Sequence, residues 1–198
     1  AASNQGLTWG ITEGQTFTFS VDHSIEMSIL TFITSTETSY KIIMEIGSLP
    51  EIPADIDSLL GLPSVDVNLK LENGTTVVEL IPLSFSFVVP IGNWTLIDEL
   101  YKDIFGSVPG FTWINDASVY GYSMSIDELG ISYDYTFRYL KADGFLYSIN
   151  MDMESSFSNS TMDIQREVGL DTMTLILVGG GAGIAIIVIA VVVLKMRK

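Results

Sequence analysis

The chain has a single histidine, His23, and it lies among acidic residues in the stretch SVDHSIEM (20–27). Asp22 and Glu26 give this stretch the residue types of a metal site. One imidazole with scattered carboxylates still falls short of a zinc site, in which several His or Cys side chains converge on the ion. His23 follows an alternating apolar stretch, so we expect it at the end of a strand and in water, with no catalytic or metal role.

Other catalytic patterns are incomplete. A Ser-His-Asp triad would have to recruit His23, and no Gly-x-Ser-x-Gly motif is present. Neighbouring carboxylates, which serve glycoside hydrolysis or calcium binding, are expected by chance in a chain with 24 acidic residues. We therefore predict no enzyme activity, cofactor or metal site, and leave incidental calcium binding open. The carboxylate pairs are Asp55 with Asp57, Asp98 with Glu99, Asp127 with Glu128, and Asp152 with Glu154.

Glycosylation is the clearest site signal. The sequence contains three Asn-x-Ser/Thr sequons, NGT (73–75), NWT (93–95) and NST (159–161). Asn73 is predicted in a turn and Asn159 in a stalk, so both should be exposed and able to carry N-linked glycans. Asn93 is also a candidate, but a helix cap explains it equally well.

The elements that must position these residues are mostly strands. Apolar and polar residues alternate along seven stretches, which predicts an antiparallel sheet with one buried and one wet face. Asn73-Gly74 and Asp143-Gly144 indicate hairpins. NWTLIDELYKDIF (93–105) has helical spacing, with Asn93 or Thr95 as its N-terminal cap and Gly106 at its end. We predict an α+β fold, a curved antiparallel sheet of six to eight strands with one main helix; two packed sheets are an alternative. The stretches are 16–21, 39–46, 65–71, 75–89, 117–126, 133–140 and 145–153.

A transmembrane helix is predicted at the end of the chain. Residues 173–194 carry no charge, and Lys195, Arg197 and Lys198 follow. A helix of this length spans about 33 Å, enough for the hydrocarbon core of a bilayer. The basic tail, 195–198, should be cytoplasmic, which places the N-terminal part outside the cell. Gly179 and Gly183 are four residues apart, as in helices that self-associate in membranes, although small residues are also common in single spans.

These features divide the chain into an extracellular sheet domain (1–154), a juxtamembrane stalk (155–172), the transmembrane helix and the basic tail. The start at Ala1-Ala2-Ser3 fits a mature end left by signal-peptide cleavage, and trimming of the sequence would look the same. The chain has no cysteine, so the extracellular domain must be held together by its core rather than by disulfides. Its formal net charge of −15 argues against nucleic acid as a partner.

Four stretches in a fixed order resemble one protein family. They are WGITEGQTFTF (9–19), SLPEIP (48–53), PIGNW (90–94) and YLKADGFLYSINM (139–151), followed by a C-terminal anchor. Together they resemble the archaeal "choice-of-anchor" surface proteins of Lokiarchaeota and other Asgard lineages. The resemblance implies an exported domain tethered at the surface of an archaeal cell, and it transfers no catalytic residue. As structural motifs, Trp9-Gly10 and Gly14 suggest an aromatic plug and a tight turn, and Trp94 should pack on the sheet.

Two functions from different classes remain. The first is a membrane-anchored, glycosylated surface protein that is not an enzyme and acts by contact with copies of itself or another envelope component. In this case, residues 16–21 or 145–153 would supply an exposed edge strand. The alternative is a carrier or sensor of an apolar ligand bound between sheet and helix. An unfilled pocket there would favour the carrier, and a close-packed interface would argue against it.

Overall fold

A computed structural model describes residues 5–29, 32–76, 86–128 and 130–168. The described residues form eight strands, one α-helix and one short 3₁₀-helix. The strands are β1 (Thr16–Ile29), β2 (Phe32–Ile46), β3 (Val67–Leu71), β4 (Phe111–Asn115), β5 (Val119–Glu128), β6 (Ile131–Leu140), β7 (Leu146–Ser155) and β8 (Ser158–Arg166). The α-helix, α1, is Trp94–Phe105, and the 3₁₀-helix is Leu59–Gly61.

All eight described strands belong to one antiparallel sheet, in the order β3-β2-β1-β8-β7-β6-β5-β4. The predicted antiparallel sheet with one helix is confirmed, at the upper end of the predicted strand number. The alternative of two packed sheets does not describe these strands. Residues 75–89, predicted as a strand, lie partly outside the described ranges; Thr76 and Val88 each form an isolated bridge, with Lys70 and Phe145.

The sheet extends into the segment predicted as a stalk. Ser158–Arg166 is strand β8, paired with β1 on one side and β7 on the other. The folded domain therefore continues at least to Arg166 rather than ending at residue 154. Met162 and Ile164 alternate with polar residues along β8. This short alternation is sufficient to form a strand here because β1 and β7 pair with it on both sides.

The two strands proposed as exposed edges are both internal. Residues 16–21 belong to β1, which lies between β2 and β8, and residues 145–153 fall mostly in β7, between β8 and β6. Strand order depends on pairing between distant segments, and the alternation of a single strand carries no information about its neighbours. The outer strands of the described sheet are β3 and β4.

Helix α1 ends at Gly106 as predicted, and of its two candidate N-terminal caps the structure uses Asn93 rather than Thr95. The Asn93 side chain accepts a hydrogen bond from the Leu96 N–H at 3.1 Å, which satisfies a free donor of the first turn. Gly106 is the C-terminal cap, and the helix buries Ile97, Leu100 and Tyr101. Trp94 packs on the sheet as predicted, with its ring 5.4 Å from that of Tyr120.

The four stretches of the family resemblance meet at one end of the sheet. Trp9 Nε1 donates to the Pro50 carbonyl at 2.7 Å, and a bridge joins Thr8 to Ile91. Gly10 lies against the 141–144 turn so closely that a Cβ atom there would be 2.7 Å from the Asp143 Cα. The stretches that carry the resemblance are therefore in contact with one another in the fold.

The predicted membrane segment, 173–194, lies outside the described residues, as do Gly179, Gly183 and the basic tail. Within the described ranges the helices have 12 and 3 residues, both too short to cross a bilayer.

Candidate interaction surface

The sheet has one apolar and one polar face, which follow from the register. Directly paired residues of antiparallel strands point to the same side, so the pairs define rows that run across the sheet. The row through Val21 contains Ile164, Ile149, Phe137 and Tyr122, and all five side chains are buried. We call the side that carries this row the apolar face and the opposite side the polar face.

Burial on the apolar face decreases abruptly beyond this row. The next two rows, running from Thr38 to Phe111 and from Thr36 to Ile126, contain half-buried side chains except for two exposed threonines on β2. We call these two rows the open half, and the buried part of the face the covered half. The open half consists of Thr38, His23, Met162, Met151, Tyr135, Met124, Phe111, Thr36, Ile25, Ser160, Met153, Tyr133 and Ile126.

The open half has no Asp, Glu, Lys or Arg. It contains four of the eight methionines in the chain, and Tyr133 and Tyr135 stack with their rings nearly parallel, 6.2 Å apart. Two rows across seven strands cover roughly 400 Å² at the usual strand spacing, within the range of functional patches on soluble proteins. Methionine adapts its shape to a partner and is common on binding surfaces.

The polar face behind the open half is strongly acidic. The same strand segments place eight carboxylates there, and four of them form two pairs directly opposite each other on neighbouring strands, Asp134 with Asp152 and Asp22 with Asp163. Like charges in this position destabilise a sheet unless water screens them, so this face must remain solvated. The eight are Asp22, Glu26, Glu37, Asp127, Asp134, Asp152, Glu154 and Asp163.

His23 lies within β1 rather than at the end of a strand. Its Nε2 atom is 3.2 Å from Ser160 Oγ, and the side chain is half-buried rather than fully in water. Asp22 and Glu26 point to the opposite face of the sheet, because neighbouring residues of a strand alternate. A recess of about 150 Å³ lies nearby, bordered by Asp22, Glu37 and Asp163. The described residues contain no group of His, Asp or Glu side chains with the geometry of a metal site.

The three sequons occupy different environments. Asn73 is exposed in the turn after β3, and Asn159 is exposed on the polar face of β8 rather than in a stalk. Asn93 is half-buried, and both ends of its amide are used: Oδ1 caps α1, and Nδ2 donates to the Gln5 carbonyl at 2.8 Å. A glycan on Nδ2 would remove the bond to Gln5. Neither of the two exposed sequons lies on the open half.

Aromatic rings fill the described interface between α1 and the sheet. The Tyr101 ring is 5.8 Å from Tyr120 and 5.7 Å from Tyr122, and Phe105 stacks on Phe111 at 5.0 Å. Burial raises the pKa of Tyr101 to about 12 and also raises the pKa values of Tyr120, Tyr122 and Tyr139. By the criterion set out above, this packing argues against a carrier with its ligand under the helix.

A buried ion pair joins the last strand to the Asp143 turn. Arg166 Nη1 is 2.8 Å from Asp143 Oδ2, at an angle outside hydrogen-bond geometry, so the contact is an ion pair defined by distance. The guanidinium also lies over the Phe17 ring, 4.1 Å from its centre. Cation–π contact and charge pairing together offset the desolvation of a cation that is only 8% exposed.

Comparison with known proteins adds no relative: no protein-family model matches the chain, and no curated protein is significantly similar to it. The surface described above was not foreseen from the sequence. The sequence does contain a signal for this surface. Beyond His23, Ile25 and Met27 continue the apolar positions of 17–21, and Glu26 and Ser28 continue the polar positions. The alternation shows an amphipathic sheet, but it does not show where the covering helix ends.

Proposed function

We propose that this chain is a membrane-anchored surface protein of an archaeal cell envelope, glycosylated at Asn73 and Asn159, with a structural or interaction role and no catalysis of its own. One observation carries the proposal. The open half is an uncharged, methionine-rich surface in a protein with a net charge of −15, and its reverse side carries eight carboxylates. Such segregation keeps one face solvated and leaves the other suited to a protein partner.

The direction of the last strand also supports this role. Strand β8 runs from the open half towards the covered half, so the chain continues towards residues 173–194 from the covered end. Nine residues of strand span about 30 Å. With a membrane anchor at 173–194, the open half faces away from the protein's own bilayer, towards neighbouring envelope components.

Photocrosslinking in membranes of the producing cell tests the proposal. Tyr133, on the open half, is replaced by p-benzoylphenylalanine, and Tyr147, on β7 at the covered end, receives the same replacement as a matched aromatic control. We expect Tyr133 to capture protein neighbours, identified by mass spectrometry, and Tyr147 to capture far fewer. Adducts to lipid alone from Tyr133, or equal protein capture from both positions, would contradict the proposal.

A further inference from the structure

Two hairpins, β1–β2 and β7–β8, end side by side at one end of the sheet. The Ser28 N–H donates to the Phe157 carbonyl at 2.8 Å, which joins the two hairpin ends. Strand β8 starts here and runs to Arg166, so the chain leaves the sheet from the opposite end, towards residues 173–194. We call residues 27–28, 33–34 and 155–158 the apolar tip.

Large apolar side chains are exposed at the apolar tip. Among the described residues, six such side chains are exposed, and three of them, Met27, Ile33 and Phe157, belong to the tip. Ile33 is 70% exposed and Phe157 is 72% exposed, and neither they nor Met27 pack against the buried core. Single exposed apolar residues are normal, whereas a cluster of them marks a contact with a protein or a membrane.

The turn between β7 and β8 holds Phe157 in its exposed position. Ser155 Oγ accepts hydrogen bonds from the N–H groups of Phe157, at 3.3 Å, and of Ser158, at 2.9 Å. The same hydroxyl donates to the Ser158 carbonyl at 3.0 Å. The turn is therefore fixed by the Ser155 side chain, and its conformation does not depend on an aromatic ring at position 157.

Apolar residues lie on both faces of the tip, which distinguishes it from the rest of the sheet. Met27 is paired with Thr34 on the apolar face, whereas Ile33 is paired with Ser28 on the polar face. A protein that docks on the open half contacts one face of the sheet only. Lipid surrounds an inserted segment on every side, so apolar residues on both faces favour a lipid surface as the partner of the tip.

Charge is absent from the tip and returns directly behind it. Residues 27–36 and 155–162 contain no Asp, Glu, Lys or Arg. Glu26 and Glu154 are both paired with Asn159, so the two carboxylates lie in one row across the sheet. Ionised carboxylates are costly to remove from water, and a glycan at Asn159 would also stay in water. This row therefore limits insertion to the residues of the tip.

We propose that the apolar tip inserts shallowly into a second lipid bilayer, opposite the one that holds the anchor, so that the protein connects two membranes; the direction of the tip rests on the proposed function. Transfer of a side chain as large as that of Phe157 out of water strengthens binding by about tenfold or more. Anionic headgroups repel an acidic domain, so the tip prefers zwitterionic lipid.

Vesicle flotation tests the inference. The full chain, purified from its own cells and held in lipid nanodiscs, is mixed with phosphatidylcholine vesicles and separated on a density gradient. We expect the chain to float with the vesicles, and Phe157→Ser or Ile33→Ser to weaken binding by about tenfold. Leu60→Ser is the matched control, because Leu60 is 89% exposed outside the tip, and it should change binding by less than about twofold. Adding phosphatidylserine to the vesicles should weaken binding.

A fluorescent probe reports insertion itself, and a single label is possible because the full chain has no cysteine. Ser28→Cys places a nitrobenzoxadiazole dye at the tip, and Thr112→Cys places the same dye on β4 as a control. The dye brightens when it leaves water. We expect its fluorescence to rise at Ser28, and to stay unchanged at Thr112, when phosphatidylcholine vesicles are added to the nanodiscs.

Three results would overturn the inference. The first is equal flotation of the unmodified chain and Phe157→Ser, and the second is a preference for vesicles with phosphatidylserine. The third is p-benzoylphenylalanine at Phe157 that captures protein and no lipid in membranes of the producing cell. Far-ultraviolet circular dichroism of each variant confirms that it is folded.

The tip inference and the proposed function can fail separately. An absence of flotation, together with protein capture from p-benzoylphenylalanine at Tyr133, would overturn the insertion of the tip and support the proposed function. Flotation that depends on Phe157, without protein capture at Tyr133, would support the insertion of the tip and contradict the proposed function.

Discussion

The two halves of the apolar face are made by the same strands but differ in how they are held. In the covered half, residues 5–15, 48–66 and 86–105 cross the sheet, and its side chains are buried together with an Arg166–Asp143 ion pair. In the open half, the strands continue with the same alternation. Their side chains on the apolar face are only half-buried, and Thr36 and Thr38 are exposed. The comparison separates two tasks: the covered half holds the fold together, and the proposed function assigns the open half to a partner.

The largest expected effect comes from alkaline pH, which acts on the covered half. Burial raises the pKa of Tyr101 to about 12 and raises those of Tyr120, Tyr122 and Tyr139. An unfolded tyrosine ionises near pH 10, so this stabilisation is complete below about pH 10 and is lost as the pH rises through the folded pKa values.

We expect the buried tyrosines to ionise together with unfolding, in one transition between about pH 10 and about pH 12. Absorbance of tyrosinate and circular dichroism, followed over the same titration, measure the two events. Ionisation of all tyrosines while the sheet remains folded would contradict the packing described under α1.

The second prediction breaks the buried ion pair. Asp143→Ala leaves the Arg166 guanidinium buried without its counter-ion, and should lower the free energy of unfolding by about 3 kcal/mol. Lys70→Ala breaks the more exposed pair with Glu45 and should cost less than about 1 kcal/mol. Denaturant unfolding measures both. Equal effects would mean that burial of the Arg166 pair contributes nothing.

The third prediction compares Gly10, which is packed against the Asp143 turn, with Gly130, which lies in a turn beyond the open half. Gly10→Ala places a Cβ atom 2.7 Å from the Asp143 backbone, so neighbouring chain must move, at a cost of about 2 kcal/mol. Gly130, in the turn after β5, has a φ of +79° and open space around it, so Gly130→Ala should cost only about 1 kcal/mol through backbone strain. Melting temperatures rank the two. A larger loss for Gly130→Ala would contradict the tight packing described at Gly10.

The smallest effect concerns the helix cap. Asn93→Ala removes the bond to Leu96 and should cost about 1 kcal/mol, whereas Asn73→Ala in an exposed turn should cost less than about 0.5 kcal/mol. Because the Asn93 amide is used twice, we also expect glycans at Asn73 and Asn159 and none at Asn93. Glycopeptide mass spectrometry of the protein from its own cells decides this, and a glycan on Asn93 would show that the contact of its Nδ2 with Gln5 is dispensable.

The sequence predicted local features of this fold better than its long-range arrangement. Helix α1, its Asn93 cap and the Asp143-Gly144 turn depend on residues close in the chain, and all were found. The position of β1 and β7 inside the sheet, and of β8 between them, depends on pairings more than 100 residues apart in the case of Phe19 and Arg166. No local pattern encodes such partners.

The candidate surface was missed for a related reason. The sequence shows that Met151 and Met153 alternate with polar residues, which predicts one apolar side. Whether a helix covers that side depends on where α1 ends, at Phe105, relative to strands that come later in the chain. The open half is therefore a property of the assembled sheet, and only the three-dimensional arrangement identifies it.

Cryo-electron microscopy of the protein in its native membranes tests the central claim most directly. The account predicts protein density against the open half, from a second copy or another envelope component, with the covered end towards the bilayer and glycan density at Asn73 and Asn159. Isolated copies with lipid-like density under α1 would contradict it, and would favour a carrier of apolar ligands.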